Sequence, residues 1–161
     1  MCLDVGASAG GFTTVLLERG ARLVYAVDAG HGQLLGSLRQ DPRVVNLEGV
    51  NLGDLDSRRV PEPVELFTVD VSYLSLTAAV PQLDRVPIAE RSQLVALVKP
   101  MFELGLASAP VDDERVGRAL ELAIAGIERA GWSVAGAVES PVRGARGARE
   151  HLVHARRGFA T

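Results

Sequence analysis

Thiol chemistry is nearly absent from this chain, whose one cysteine is Cys2. A single thiol excludes an intramolecular disulfide framework and suits a reducing, cytoplasmic setting. Cys2 lies in an apolar run, where a packed core thiol is expected rather than a nucleophile. Long hydrophobic stretches are missing too: none approaches the ~20 apolar residues that cross a bilayer. No basic n-region or apolar h-region precedes Leu3-Asp4-Val5, so a secretory leader is not expected. Nor is positive charge in excess, since 17 Lys and Arg against 20 Asp and Glu leave a formal net charge of −3. A free-standing nucleic-acid binder usually carries a net basic surface, so any RNA affinity must come from a local patch or a partner domain. Repeats, low-complexity tracts and composition shifts are lacking, and nothing marks a linker.

What is present suits one globular domain spanning 1–161: 47% of the residues are hydrophobic and 23% charged, enough for a full core. Apolar, β-branched runs alternate with stretches of helical period, the pattern of an α/β fold with a parallel sheet wrapped by helices. Strands are predicted at Met1–Val5, Arg22–Asp28, Arg43–Leu47, Leu66–Val71 and Gln93–Val98. Helices are predicted over Gly10–Arg19, Gly32–Arg39 and Thr77–Leu83, and from a cap at Asp112 or Asp113 to about Ala130. Pro61 and Pro63 punctuate the loop before the fourth strand. Trp132–Val138 and Glu150–His154 finish as an antiparallel strand pair at the sheet edge, with Trp132 in core or edge packing.

The sharpest local signal is Asp4-Val-Gly6-Ala7-Ser8-Ala-Gly10-Gly11-Phe12-Thr13, between a strand and a helix. Ligands of open α/β sheets bind at such turns, outside the carboxyl ends of the strands, and glycine lets the backbone approach them. Asp28 ends the next strand, where a carboxylate can hold a ribose diol. A nicotinamide site would show Gly-x-Gly-x-x-Gly and a helix terminus holding pyrophosphate. The spacing here is Gly6-x-x-x-Gly10-Gly11, and the acidic Asp4 suits an ammonium and repels a pyrophosphate, which favours S-adenosylmethionine. Asn51 stands where an amide could reach an adenine edge, a turn role being the alternative; Asp54 is open in the same way.

Asp70 and Lys99 fall at the carboxyl ends of two further central strands, on the same edge as Gly6 and Asp28. A charge in so apolar a run is costly to bury unless paired, so both are candidate site residues. Glu150, after Gly144-Ala-Arg-Gly147-Ala-Arg149, is ambiguous on its own. His151 and His154 face opposite sides of a strand, which argues against a metal pair. His31, in a turn, is read as exposed.

Five blocks then occur in order: Asp4 to Thr13; Asp28-Ala-Gly30-His-Gly32-Gln33-Leu34; Asp70-Val-Ser72-Tyr73-Leu-Ser75-Leu76; Lys99-Pro100-Met-Phe102-Glu103; and Gly144-x-x-Gly147-x-x-Glu150. Together they closely resemble the TlyA (haemolysin A) family of FtsJ-like ribosomal RNA 2′-O-methyltransferases, over nearly the whole chain. The resemblance implies a Rossmann-like methyltransferase fold, S-adenosylmethionine as donor, and ribosomal RNA or a ribosomal subunit as partner. It implies cofactor contacts from Asp4, Gly6, Ala7, Ser8, Gly10, Gly11, Phe12, Asp28, Asn51 and Asp70. By motif, Asp70, Lys99 and Glu150 match the second to fourth members of a Lys-Asp-Lys-Glu tetrad, with Lys99 as base or as the group steering the hydroxyl. No metal is implied: the sulfonium methyl is already activated, and the reaction needs alignment and proton removal.

This chain departs from the family pattern in three places. The first tetrad lysine belongs to a Ser-Arg-Gly-Gly-x-Lys segment upstream of the first strand, so the expectation is a chain N-terminally truncated relative to the family, without its small RNA-binding domain. The family's Gly-Asn-x-Glu is here Gly147-Ala148-Arg149-Glu150, and its Gly-Lys-Gly-Gly-type loop is replaced by Leu104 to Pro110. Arg143, Arg146, Arg149, Arg156 and Arg157 cluster near the end, suited to phosphate contacts or to a solvated tail. Two other readings stay open: a catalytically impaired cofactor- or RNA-binding remnant, and a nicotinamide-dependent oxidoreductase.

Overall fold

The computed structural model describes residues 1–158; the last three positions of the domain expected over 1–161 lie outside the described residues. Seven strands form one sheet: β1 (Cys2–Val5), β2 (Val24–Asp28), β3 (Val44–Glu48), β4 (Val64–Val69), β5 (Ile88–Val98), β6 (Ser133–Glu139) and β7 (His151–Arg157). Their order across the sheet is β3-β2-β1-β4-β5-β7-β6. The first five run parallel. β7 lies antiparallel beside β5, and β6 pairs antiparallel with β7 on the outside.

Side-chain alternation along β1 and β2 divides the core. Leu3, Val5, Tyr25 and Val27 point into one apolar cluster, while Cys2, Val24 and Ala26 point into the other. The smaller cluster is closed by α1 (Gly11–Glu18) through Leu16 and Leu17, and by α2 (Gly36–Arg39) through Leu38. The larger is covered by α3 (Leu76–Ala79) and α5 (Asp113–Arg129), which contributes Ala123 and Ile127. A one-turn helix, α4 (Pro100–Glu103), follows β5 directly. Asp112 caps α5 by accepting from the Arg115 amide at 2.8 Å, Asp113 and Glu114 stand in the first turn, and Arg129 stands in the last.

The chain winds from β1 outward to β3, then returns to β4 and proceeds the other way. That reversal opens a crevice between the carboxyl ends of β1 and β4. Because β7 runs against its neighbour, its amino end reaches the same edge, and Glu150 joins the carboxyl-end residues of four parallel strands. No helix among the described residues is long and apolar enough to cross a membrane.

Candidate active site

The turn after β1 is shaped by the backbone. Gly6 has φ +82°, and a Cβ there would lie 2.0 Å from the Asp70 carbonyl oxygen, so only glycine lets the turn pass β4. Gly10 precedes α1 at φ +101°, and a Cβ there would lie 2.1 Å from Leu38 Cδ1. Ser8, in the left-handed region at φ 48°, donates its amide to Asp28 Oδ2 at 2.8 Å and its hydroxyl to Gln33 Oε1 at 3.1 Å. Asp28 Oδ1 accepts from the Gly30 amide at 2.7 Å. One carboxylate thus clamps both the loop after β1 and its own.

These loops enclose a hollow of about 410 Å³, within the ~300–1,000 Å³ range of small-molecule sites. Gly6, Ser8, Asp28 and Gln33 form one side, Val50 and Leu52 an apolar wall, and Asp70, Ser72, Tyr73 and Lys99 the far end. A second hollow, of about 460 Å³, shares Ser72 and Lys99 with the first and adds Phe102, Arg146 and Glu150. A third, of about 520 Å³, holds Ala7, Gly11, Phe12 and Val142, and touches Asp70 and Glu150.

Lys99 stands in the wall between the first two. Its Nζ lies 2.5 Å from Asp70 Oδ1 and donates to Ser72 Oγ at 2.7 Å. Asp70 Oδ1 itself accepts no aligned hydrogen bond, so the Asp70 contact is ionic while the directed bond goes to Ser72. Glu150 is 9% exposed and packs against Gly144, where a Cβ would come within 2.2 Å of its Oε1. Burial pushes its carboxyl above the usual range and Asp70 adds to this, while Lys99 pulls it back. Glu103 joins the loop after β4 to α4: its Oε1 accepts the Leu76 amide at 2.5 Å, and burial raises its carboxyl as well.

Asp70, Lys99 and Glu150, drawn from three parts of the chain, therefore meet around two adjoining hollows. Gly6, Ser8 and Asp28 border the first, while Ala7, Gly11 and Phe12 border the third. Three expected cofactor contacts need correction. Asp4 is completely buried and faces α1 and β4: its Oδ2 accepts from Thr13 Oγ1 at 2.6 Å and its Oδ1 from Thr68 Oγ1 at 2.8 Å. It fastens the turn from beneath and borders none of the three hollows. Asn51 is exposed and its amide turns to Asp54 at 3.4 Å, while its neighbours Val50 and Leu52 form the wall. Gly10 is buried under α2 and borders none of the three hollows. Gln33, Val50, Leu52 and Ser72 were not singled out from the sequence; Gln33 and Ser72 stood inside quoted motifs, but nothing local marked Val50 or Leu52.

The sequence model of the FtsJ-like methyltransferases matches residues 1–157. A 16S/23S rRNA (cytidine-2′-O)-methyltransferase, TlyA, of Mycobacterium tuberculosis is 42% identical over 158 residues, covering 94% of this chain and 58% of its own. Hemolysin A of Brachyspira hyodysenteriae is 37% identical over 160 residues, covering 96% of this chain and 66% of its own. Among solved structures, a Streptococcus thermophilus protein given the name hemolysin superposes with a TM-score of 0.91 at 37% identity, over 99% of this chain and 59% of that one. The N-methyltransferase NodS from Bradyrhizobium japonicum shares the fold at a TM-score of 0.68 and 15% identity, over 98% of this chain and 85% of that one.

Proposed function

Because the chain belongs to the FtsJ-like methyltransferase family, we propose that it transfers a methyl group from S-adenosylmethionine to a ribose 2′-hydroxyl of ribosomal RNA. The observation that carries this reading is that Lys99 lines both hollows, with Asp70 bordering the first and Glu150 the second. The chain spans 58% of the length of the Mycobacterium tuberculosis relative, whose name gives ribosomal RNA as acceptor. That acceptor, assembly with a ribosomal subunit and action in the cytoplasm belong to the proposal, as does a single domain over the chain.

The residues of the first hollow fit the donor. Gly6 leaves room beside Asp70, Asp28 keeps lone pairs free for a ribose diol beyond the two amides it accepts, and Val50 and Leu52 offer a purine an apolar wall. When bound, S-adenosylmethionine supplies a sulfonium methyl already activated for transfer. The protein's own work is alignment and proton removal. The hydrogen bond that Lys99 donates to Ser72 and its ion pair with Asp70 fix its direction and leave an N–H for the ribose oxygen. Glu150 borders the same hollow as Lys99, and its carboxylate takes one proton from the ammonium as Lys99 takes up the proton of the hydroxyl. Asp70 borders both the first and third hollows and keeps the lysine at the boundary.

Calorimetric titration with S-adenosylmethionine tests the donor site, with Asp28→Ala as the control. Micromolar affinity that is lost in an Asp28→Ala variant that still unfolds cooperatively in urea supports the proposal. Binding of NADH without S-adenosylmethionine would overturn it, and so would a folded protein that binds neither.

A further inference from the structure

Five arginines crowd the end of the chain, and the structure separates them. Arg149 is held by Glu139 at 3.0 Å and by Asp113, and Arg143 reaches Glu139 at 3.2 Å. Arg157 pairs with Asp84 at 2.5 Å and lies over the Trp132 ring, and Arg156 also interacts within the fold. Arg146 differs from all four. It is exposed and makes no side-chain hydrogen bond or ion pair among the described residues, yet it borders the second hollow together with Lys99 and Glu150.

Its position is built into the backbone. Arg146 has φ 59° and ψ 27°, a conformation that L residues with large side chains seldom adopt. The turn around it is closed by Gly144 N–H donating to Ala148 O at 2.8 Å and Gly147 N–H donating to Gly144 O at 3.1 Å. The Arg149 ion pairs anchor its base to β6.

We propose that Arg146 is an anion site at the rim of the second hollow, taking a backbone phosphate of the RNA strand whose ribose enters it. This rests on the methyl-transfer reading above and adds to it how the acceptor is oriented. The floor of that hollow holds Glu150, which repels a phosphate, and a lysine already engaged by Asp70 and Ser72. Pro100, Met101 and Phe102 on its wall offer an anion nothing. A neutral sugar can descend to Lys99, while the phosphate stays at the rim, where a guanidinium can bind two of its oxygens.

The test is fluorescence anisotropy of a labelled single-stranded oligoribonucleotide against the whole chain across a potassium chloride series. For Arg146→Gln, the log–log dependence of affinity on salt becomes shallower by about 0.7, the loss of one single-strand phosphate contact. Arg146→Lys keeps the parent slope, and Arg143→Gln, removed from an internal ion pair, leaves it unchanged. An Arg146→Gln slope equal to the parent's overturns the proposal, as does RNA binding by the parent that does not respond to salt. S-adenosylmethionine affinity is measured in the same variants and is expected to stay unchanged. If Arg146→Gln loses it, the turn rather than the guanidinium is what matters, and the proposal falls. Failure of the parent to bind S-adenosylmethionine would count against the methyl-transfer reading instead.

Discussion

A carboxylate with no exposed surface needs partners, and Asp4 has two threonine hydroxyls. Burial raises its carboxyl, and the hydrogen bonds from Thr13 and Thr68 pull it back. The alternation of β1 points to this, since Asp4 shares a face with the core thiol Cys2 and not with Leu3 and Val5. Its partners lie 9 and 64 positions away, and only the pairing of β1 with β4 brings Thr68 opposite. Asp4→Ala should therefore destabilise the free protein by about 1–3 kcal/mol for each hydroxyl left unpaired, read from the urea midpoint without any ligand. Unchanged stability with lost cofactor affinity would return Asp4 to the ligand role. Asp28 was legible because it combines a strand end with a fixed distance from the glycines. Gln33 was not, because its place depends on a bond from Ser8, 25 residues earlier in the chain.

Elements end where their amides find other partners. The helix expected over Gly32–Arg39 forms only as α2, because Glu48 Oε1 takes the amides of Gln33 at 2.6 Å and Leu34 at 2.9 Å, and Leu35 N–H donates to Ala9 O. Bonds from the Leu34 amide and from Asn46 hold the Glu48 carboxyl down at about 2. A depressed carboxyl stabilises the fold fully above its ordinary value near 4.5 and loses that contribution as pH falls towards 2. In Glu48→Gln, the melting temperature should lie below the parent's at pH 7, and the gap should narrow on acidification through pH 3 and close towards pH 2. A gap of constant size would show that the charge is not what secures the loop. The helix predicted over Thr77–Leu83 is α-helical only to Ala79 and continues as a 3-10 helix, because Pro81 cannot donate to the ladder. The first half of β5 escaped sequence reading because Glu90 and Arg91 break its apolar run, and Ser92 bends back to the Ala89 carbonyl at 2.6 Å.

For the molecule as a whole, the alternation of apolar strands with helical stretches was enough to indicate the three-layer architecture. The strand order depends on long-range packing. One example is Phe67 in β4, which meets Trp132 edge to face at 5.7 Å and ties the far end of the sheet to its centre. The three candidate catalytic residues were visible as separate charges, but that they meet is a property of the closed sheet: β7 must turn back beside β5 before Glu150 can approach Lys99. The arginine cluster shows the opposite. What reads as one basic patch in sequence is mostly consumed by Glu139, Asp113 and Asp84.

The lysine partition has a kinetic consequence. The one cysteine, Cys2, is buried at the opposite end of β1 from Gly6, so no thiol at the partition can carry the methyl group between two half-reactions. On the proposed methyl transfer, donor and acceptor then occupy the two adjoining hollows together. Double-reciprocal initial-rate plots against one substrate, at several fixed levels of the other, should therefore intersect. Parallel lines would mean that another side chain at the partition carries the methyl group, and direct transfer would fall.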